Sequence, residues 1–115
     1  AHAPYSGVQV GAVIATADGR IVTGCNIENA TYGLTMCAER VALFKAIADG
    51  RRDLVRVAVV ADAPAPTPPC GACRQLLWEF GGDLPVVLAT PDGRVARRYR
   101  LSSLLPVPFD RRLLR

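Results

Sequence analysis

Two apolar, β-rich runs near the start of the chain predict a β-hairpin. They cover residues 8–16 and 21–27 and flank the segment Ala17-Asp18-Gly19-Arg20. Asp-Gly between such runs favours a tight turn, because glycine takes positive φ angles at little cost. We therefore expect the first two strands to pair through this turn.

Apolar positions then recur at helical spacing. Thr35 is the expected N-cap of a helix that begins near Met36, and Gly50 is expected to end it. The pattern predicts that one face of this helix packs into the core, formed by Val41, Ala42, Phe44, Ile47 and Ala48.

The remaining elements alternate between strands and helices. Strands are predicted at residues 54–61, 84–90 and 95–101, the last at an edge of the sheet, and a second helix at residues 71–80. The proline-rich segment 63–69 is expected to form a rigid loop before that helix. A short helical piece and a tail follow. This order predicts an α/β fold with a mostly parallel sheet and helices on its faces.

Length and composition indicate one globular domain over residues 1–115. Of these residues, 50% are hydrophobic and 21% are charged, as in ordinary globular proteins. The longest apolar stretches, such as residues 57–61, are too short to cross a bilayer. The opening residues resemble no secretion signal. Because the chain does not begin with Met, whether a segment precedes Ala1 stays open.

Positive charge is concentrated near the C-terminus. The net charge is +4, and Lys45 is the only lysine. A basic tail is compatible with nucleic-acid binding. It lacks the run of interleaved aromatic residues that would stack on single-stranded bases, so a solvated surface or salt bridges between subunits are favoured. The seven arginines of this region are Arg94, Arg97, Arg98, Arg100, Arg111, Arg112 and Arg115.

Four cysteines require a choice between disulfides and a metal site. Two of them form Cys70-Gly71-Ala72-Cys73, and Cys37 is followed by Ala-Glu. Without a secretory signal, a metal site in a reducing compartment, the cytoplasm, is favoured over two disulfides. Cys25 lies in a predicted strand beside Gly24 and is interpreted as a small core residue.

The other three cysteines fall at predicted helix N-termini. Cys37 lies in the first turn of the first helix, while Cys70 and Cys73 open the second. Residues three apart at a helix start project to the same side, so Cys70 and Cys73 can reach one ion. The positive ends of the two helix dipoles favour thiolates over thiols.

This arrangement favours a catalytic zinc ion over two alternatives. A Cys-x-x-Cys pair also suits redox dithiols, but a redox pair needs no third cysteine at another helix start. A structural zinc ion takes four protein ligands, and the spare candidates, Cys25 and His2, do not lie at a comparable helix start. An open position for water is therefore expected.

Two charged residues beside Cys37 are candidates for catalytic roles. Glu39 is turned by about 200° from Cys37 around the helix, so it is interpreted as a general base and acid and not as a ligand. The alternative is a glutamate that complements the helix dipole. Arg40 either offsets the excess negative charge of three thiolates or is a surface arginine.

These motifs resemble those of a known family. Cys37-Ala38-Glu39-Arg40 and the segment 69–75, Pro-Cys-Gly-Ala-Cys-Arg-Gln, are similar to the signature of the small homotetrameric cytidine deaminases, within the zinc deaminase superfamily. Nucleic-acid-editing and tRNA deaminases have His in place of Cys37. Further matches lie at residues 4–6, 10–12, 24–29 and 104–106 and at Phe109.

The resemblance implies a fold and an activity. The fold is a three-layer cytidine deaminase-like domain with a mixed five-stranded sheet and helices on its faces. Each chain would bind one Zn²⁺ through Cys37, Cys70 and Cys73, with a bound water or hydroxide, and Glu39 would be the catalytic residue. The implied reaction is the hydrolytic deamination of cytidine and deoxycytidine to uridine and deoxyuridine in pyrimidine salvage.

The resemblance also implies substrate contacts. Asn26 and Glu28 would hydrogen-bond the ribose hydroxyls; the alternative is that they are exposed polar residues at a strand end. The Ala38 backbone would meet the pyrimidine ring. Tyr32 and Phe109 would line the pocket of a neighbouring subunit in a homotetramer.

Two departures from the family pattern change these expectations. Val8 stands where the family usually has Phe against the base, so we expect a looser base pocket. The first helix of the family is expected either to be absent or to precede the given sequence. The alternative functions are a blasticidin-type or other modified cytosine nucleoside deaminase and, more remotely, a nucleic-acid-binding protein with a structural zinc ion.

Overall fold

The computed structural model describes residues 1–114 and contains the predicted elements, with their ends shifted by one or two residues. None of the helices in this range is long and apolar enough to cross a membrane. One-turn 3-10 helices lie at Tyr32–Leu34 and Arg111–Leu113. In chain order the main elements are β1 (Val10–Thr16), β2 (Ile21–Cys25), α1 (Ala38–Ala48), β3 (Leu54–Ala61), α2 (Gly71–Gly81), β4 (Pro85–Ala89), β5 (Ala96–Arg100) and α3 (Leu101–Leu104).

The five strands form one mixed sheet, but the expectation of a mostly parallel sheet is wrong. The strand order is β2-β1-β3-β4-β5. The β3–β4 pair is parallel, whereas β1–β2, β1–β3 and β4–β5 are antiparallel. The β2 and β3 strands do run in the same direction, as a strand-helix-strand unit requires. However, β1 lies between them, and its hairpin with β2 makes it antiparallel to both neighbours.

One face of the sheet is buried beneath the helices. Ile14, Val57 and Val86 are register partners across β1, β3 and β4, and all three are fully buried. Leu43 of α1 and Leu77 of α2 belong to the same buried cluster. Their sequence neighbours Val13, Ala58 and Val87 point to the other face, where they are partly buried.

The face through which α1 packs overlaps the predicted face only in part, at Ala42 and Ile47. Val41 and Ile47 are only partly buried, Ala48 is exposed, and Phe44 is 41% exposed. Of the predicted residues, Ala42 is fully buried; the other buried residues of this helix are Ala38, Glu39, Leu43 and Ala46.

Close approach between α1 and β2 explains this rotation. A Cβ atom at Gly24 of β2 would lie 2.5 Å from both the Ala38 carbonyl oxygen and the Ala42 backbone nitrogen. The two backbones can approach this closely because glycine faces alanines. A large side chain such as Phe44 on this face of the helix would hold the helix away from the strand.

The start of α1 also differs from the prediction. Cys37 is the N-cap, and not Thr35. The Thr35 hydroxyl oxygen accepts a hydrogen bond from the Asn29 backbone N–H at 3.3 Å, and Met36 forms a β-bridge with Ile27. These interactions keep the chain extended as far as Cys37, so the helix begins two residues later than expected.

The basic C-terminal region lies on the surface. Arg100 pairs with Asp83 at 3.4 Å, and Arg112 pairs with Asp110 at 3.1 Å. Arg97 and Arg98 of the edge strand β5 are exposed. Arg115 lies outside the described residues.

Candidate metal centre

Three thiols from two helix starts converge, as the sequence predicted. Cys37 and Cys70 are the N-caps of α1 and α2, and Cys73 lies in the first turn of α2. The Sγ atoms of Cys37 and Cys70 are 3.7 Å apart, and those of Cys70 and Cys73 are 3.3 Å apart. All three sulfur atoms lie within 4.8 Å of one another.

These distances fit a zinc ion. Tetrahedral Zn–S bonds of about 2.3 Å place the sulfur atoms about 3.8 Å apart. Within residues 1–114, no fourth cysteine, histidine or carboxylate joins the cluster, and Cys25 lies partly buried elsewhere at the end of β2. Three thiolates with a free fourth position are the donor set of a zinc site that can admit a water molecule.

The surroundings of the sulfur atoms favour a bound cation. Burial raises the pKa of the Cys73 thiol, so its thiolate needs positive charge nearby. Burial opposes ionisation of Cys70 as well, but hydrogen bonds from Cys73 and Cys37 lower the pKa of Cys70 overall. Arg40 Nη2 donates a hydrogen bond to Cys37 Sγ at 3.3 Å, and this bond raises the pKa of Arg40. Arg40 therefore faces the thiols and is not an exposed surface arginine.

Glu39 lines a cavity that Cys37 and Cys70 also line. Its side chain is buried, with the residue only 4% exposed, and it is not one of the clustered ligands. Burial raises the pKa of its carboxyl group. A carboxyl group with a raised pKa is suited to take up and release a proton near neutral pH.

The cavity has a volume of about 330 Å³ and contains most of the predicted site residues. A larger hollow of about 490 Å³, which borders Cys25 and Asp62, does not reach the thiol cluster. No lysine or arginine lines the smaller cavity in the described part of the chain. Its lining includes Val8, Asn26, Glu28, Tyr32, Cys37, Ala38, Glu39 and Cys70 from the predicted set.

Asn26 and Glu28 are buried, so the alternative that they are exposed strand-end residues is wrong. They are 8% and 5% exposed. Asn26 Oδ1 accepts from the Val10 backbone N–H at 2.9 Å, and Asn26 Nδ2 donates to the Val8 carbonyl at 2.8 Å. Glu28 accepts hydrogen bonds from the segment that contains Ser6, and the Ser6 hydroxyl bond lowers the pKa of Glu28.

The two residues expected to reach a neighbouring subunit differ in position. Phe109 is 57% exposed and does not line its own cavity, and Gln75 Nε2 donates to its carbonyl at 2.7 Å. Tyr32 is 58% exposed but lies at its own chain's cavity, because its 3-10 helix connects Glu28 to the start of α1. A role of either residue in a neighbouring pocket stays a prediction.

Three residues that shape the site have no role in the sequence-based predictions. Ser6 lines the cavity and binds Glu28, and Gly24 permits the close approach of α1. Arg74 donates to the Pro69 carbonyl at 2.8 Å and to the Leu104 carbonyl at 2.6 Å, which ties the loop before Cys70 to α3. A glycine inside a strand was the available signal for Gly24, since it often marks close backbone approach.

Several known proteins are similar to this chain in both sequence and fold. The cytidine deaminase of Halalkalibacterium halodurans is 53% identical over 95% of this chain and 83% of that protein. The cytidine deaminase of Sporosarcina psychrophila is 47% identical over 96% of this chain and 82% of that protein. The crystal structure of the cytidine deaminase from Burkholderia pseudomallei matches with a TM-score of 0.89 and 48% identity, over 94% of this chain and 87% of that chain.

A family comparison gives the same result for most of the chain. Residues 1–89 match the cytidine and deoxycytidylate deaminase zinc-binding region. This range contains all three clustered thiols and Glu39. The chain belongs to the cytidine and deoxycytidylate deaminase family, and its three clustered thiols are suited to bind zinc.

Proposed function

We propose that this chain catalyses the hydrolytic deamination of cytidine and deoxycytidine to uridine and deoxyuridine, as an enzyme of pyrimidine salvage. The observation that carries the proposal is the cluster of Cys37, Cys70 and Cys73 with the buried Glu39 at the same cavity. The relatives that are 53% and 47% identical are named cytidine deaminase, which supports this reaction.

The chain's residues can bind the base and move the protons. Zinc held by the three thiolates would supply a Lewis acid that lowers the pKa of water. Glu39 accepts a proton from the attacking water and delivers it to N3 of the cytosine ring. Water adds to C4 of the ring. Glu39 then transfers the remaining hydroxyl proton to the amino group, and the C–N bond breaks to release ammonia. Cytidine and water thus give uridine and ammonia.

The charge of the cavity favours a nucleoside over a nucleotide. Its lining contains the carboxylates of Glu28 and Glu39 and no lysine or arginine in the described residues. A phosphate group there would lack the cationic partner that phosphate groups usually have in proteins. Asn26 retains a second N–H and Glu28 an acceptor position for ribose hydroxyls, while the Ala38 backbone lies at the same cavity.

We assign the enzyme to the cytoplasm as a homotetramer with shared sites. Free thiols at an open cavity are stable in a reducing compartment. Phe109 is exposed and held away from its own cavity, which supports its use by a second copy. If sites are shared, mixing inactive Glu39→Ala chains with impaired Phe109→Ala chains restores activity. A monomer at assay concentration, or no recovery in verified mixed oligomers, contradicts this assignment.

The activity is tested by uridine formation from cytidine, with the zinc content measured on the same sample. We expect about one zinc ion per chain and turnover of cytidine and deoxycytidine, with little turnover of their 5′-phosphates. Faster turnover of blasticidin S than of cytidine would instead assign the blasticidin-type activity. Salt-sensitive oligonucleotide binding without ammonia release would refute the deaminase assignment.

A further inference from the structure

One wall of the cavity is a segment that precedes the sheet. Residues 4–9 lie before β1, and Ser6 and Val8 from this segment line the cavity together with Glu39. Asn26 and Glu28, which follow β2, form hydrogen bonds with this segment through their side chains. The shape of this wall therefore depends on hydrogen bonds that the strands themselves do not make.

The side-chain amide of Asn26 hydrogen-bonds to the backbone at the C-terminal end of this segment, as a neighbouring strand would. Its amide oxygen accepts from the Val10 backbone N–H, and its amide nitrogen donates to the Val8 carbonyl. The two bonds measure 2.9 and 2.8 Å. Both ends of the side-chain amide are used, so the backbone on either side of Gln9 is fixed against the end of β2.

Glu28 and Ser6 hold the other end. Glu28 Oε1 accepts from the backbone N–H groups of Tyr5 and Ser6 at 3.0 and 3.1 Å. The Ser6 hydroxyl donates to Glu28 Oε2, and its oxygen accepts from the Val8 backbone N–H at 3.1 Å. A serine hydroxyl can make both bonds because it is both a donor and an acceptor. Alanine at this position could make neither.

The hydrogen bonds from Tyr5 and Ser6 limit the acceptor positions that Glu28 can offer to a ligand. A carboxylate offers about four lone-pair positions. Three of them are taken by Tyr5 and Ser6, and one remains on a side chain that lines the cavity. The Ser6 hydroxyl thus determines which part of the carboxylate is free to meet a ligand.

We propose that Ser6 is a positioning residue for the nucleoside. Its hydroxyl orients Glu28 so that the remaining acceptor position faces the cavity, and it holds Val8 in the cavity wall. This inference rests on the proposed function, in which Glu28 receives a ribose hydroxyl. Because Ser6 is itself exposed, its replacement should disturb the site more than the fold.

The test compares Ser6→Ala with Ser6→Thr, which keeps the hydroxyl. Thr90→Val is a matched control, because Thr90 Oγ1 also donates to a carboxylate, Asp92, at 2.8 Å and accepts from a backbone N–H, that of Val95, at 3.2 Å. Thr90 does not line the cavity of the metal centre. The measurements are KM and kcat for cytidine and the amide hydrogen exchange of Val8.

We expect Ser6→Ala to raise KM about tenfold with kcat within about threefold of the unmodified enzyme, as for loss of a hydrogen bond to a charged group. Ser6→Thr should restore KM, and Thr90→Val should leave KM unchanged. A KM for Ser6→Ala within twofold of the unmodified enzyme, or no rescue by Ser6→Thr, overturns the proposal.

Failure of the proposed function would be recognised separately. If the unmodified, zinc-loaded chain forms no uridine from cytidine, the deaminase assignment fails whatever the variants do. The amide hydrogen exchange of Val8 would then test the role of the Ser6 hydroxyl without any measurement of activity. Faster exchange in Ser6→Ala but not in Ser6→Thr supports the role of the hydroxyl, and equal exchange in all three chains refutes it.

Discussion

Gly24→Ala tests whether the spacing between β2 and α1 positions the zinc ligands. The added Cβ atom would lie 2.5 Å from the Ala38 carbonyl oxygen and from the Ala42 backbone nitrogen. Both contacts are with backbone, so no side-chain rotation can relieve them. The helix must move away from the strand, and Cys37, as its N-cap, must move with it.

The size of the movement follows from the structure. Ordinary contact begins at 3.4 Å, so relief of the two 2.5 Å contacts requires a shift of about 0.9 Å. Zinc–ligand distances tolerate only about 0.2 Å. Overpacking of this kind typically costs about 1–3 kcal/mol of stability. A displacement near 1 Å at a catalytic site can cost about 10²-fold in rate.

The assay measures unfolding free energy, zinc retention against a chelator, and kcat/KM for cytidine. Gly11→Ala is the matched control: Gly11 lies on the neighbouring strand β1, and its added Cβ atom would meet only backbone oxygens at 3.9 and 4.0 Å. We expect Gly24→Ala to lose zinc more readily and to lose about 10²-fold in kcat/KM, while Gly11→Ala stays near normal. Equal zinc retention and kcat/KM in the two variants would refute the reasoning.

Three further predictions concern Glu39, Arg40 and Asp110. Glu39→Ala should keep the fold and about one zinc ion per chain but lose about 10² to 10⁴-fold in kcat, because it removes the proton carrier and no ligand; zinc loss, or a kcat within tenfold of normal, would contradict this. Arg40→Ala should lower kcat and weaken zinc retention in a chelator competition, whereas Arg40→Gln, which can still donate to Cys37 Sγ, should do less harm; near-normal values in both variants would show that Arg40 is dispensable. The backbone hydrogen bond from Arg112, with other contacts, lowers the pKa of Asp110 to about 2, below the value of about 3.9 expected in the unfolded chain. Its stabilisation is therefore present above pH 4 and lost as the pH falls through about 2, so the difference in unfolding free energy between the unmodified chain and Asp110→Ala should shrink over that interval; a constant difference would contradict the assignment.

Local sequence was sufficient to predict the cluster of three thiols. Cys37 and Cys70 were placed at helix starts, and both are N-caps of helices that the periodicity predicted. The Cys70–Cys73 spacing depends only on helix geometry, which is independent of the rest of the fold. The exclusion of Glu39 from the ligand set followed from the same geometry.

Features that depend on distant residues were predicted less well. The rotation of α1 is set by Gly24, which lies on another element, and not by the apolar spacing of the helix itself. The role of Asn26 and Glu28 as supports for residues 4–10 depends on contacts across the hairpin. Neither feature repeats with a local period, so no pattern along the chain reveals it.

The sequence by itself determined the elements, the α/β class and the placing of the three clustered thiols at helix starts, because each depends on helix or turn geometry within a few residues. The tertiary structure decided that β1 lies between β2 and β3, which face of α1 is buried, and that Phe109 is exposed and outside its own cavity. These outcomes depend on which surfaces can approach one another closely. That is a property of packing between elements, and it is determined only once the whole chain has folded.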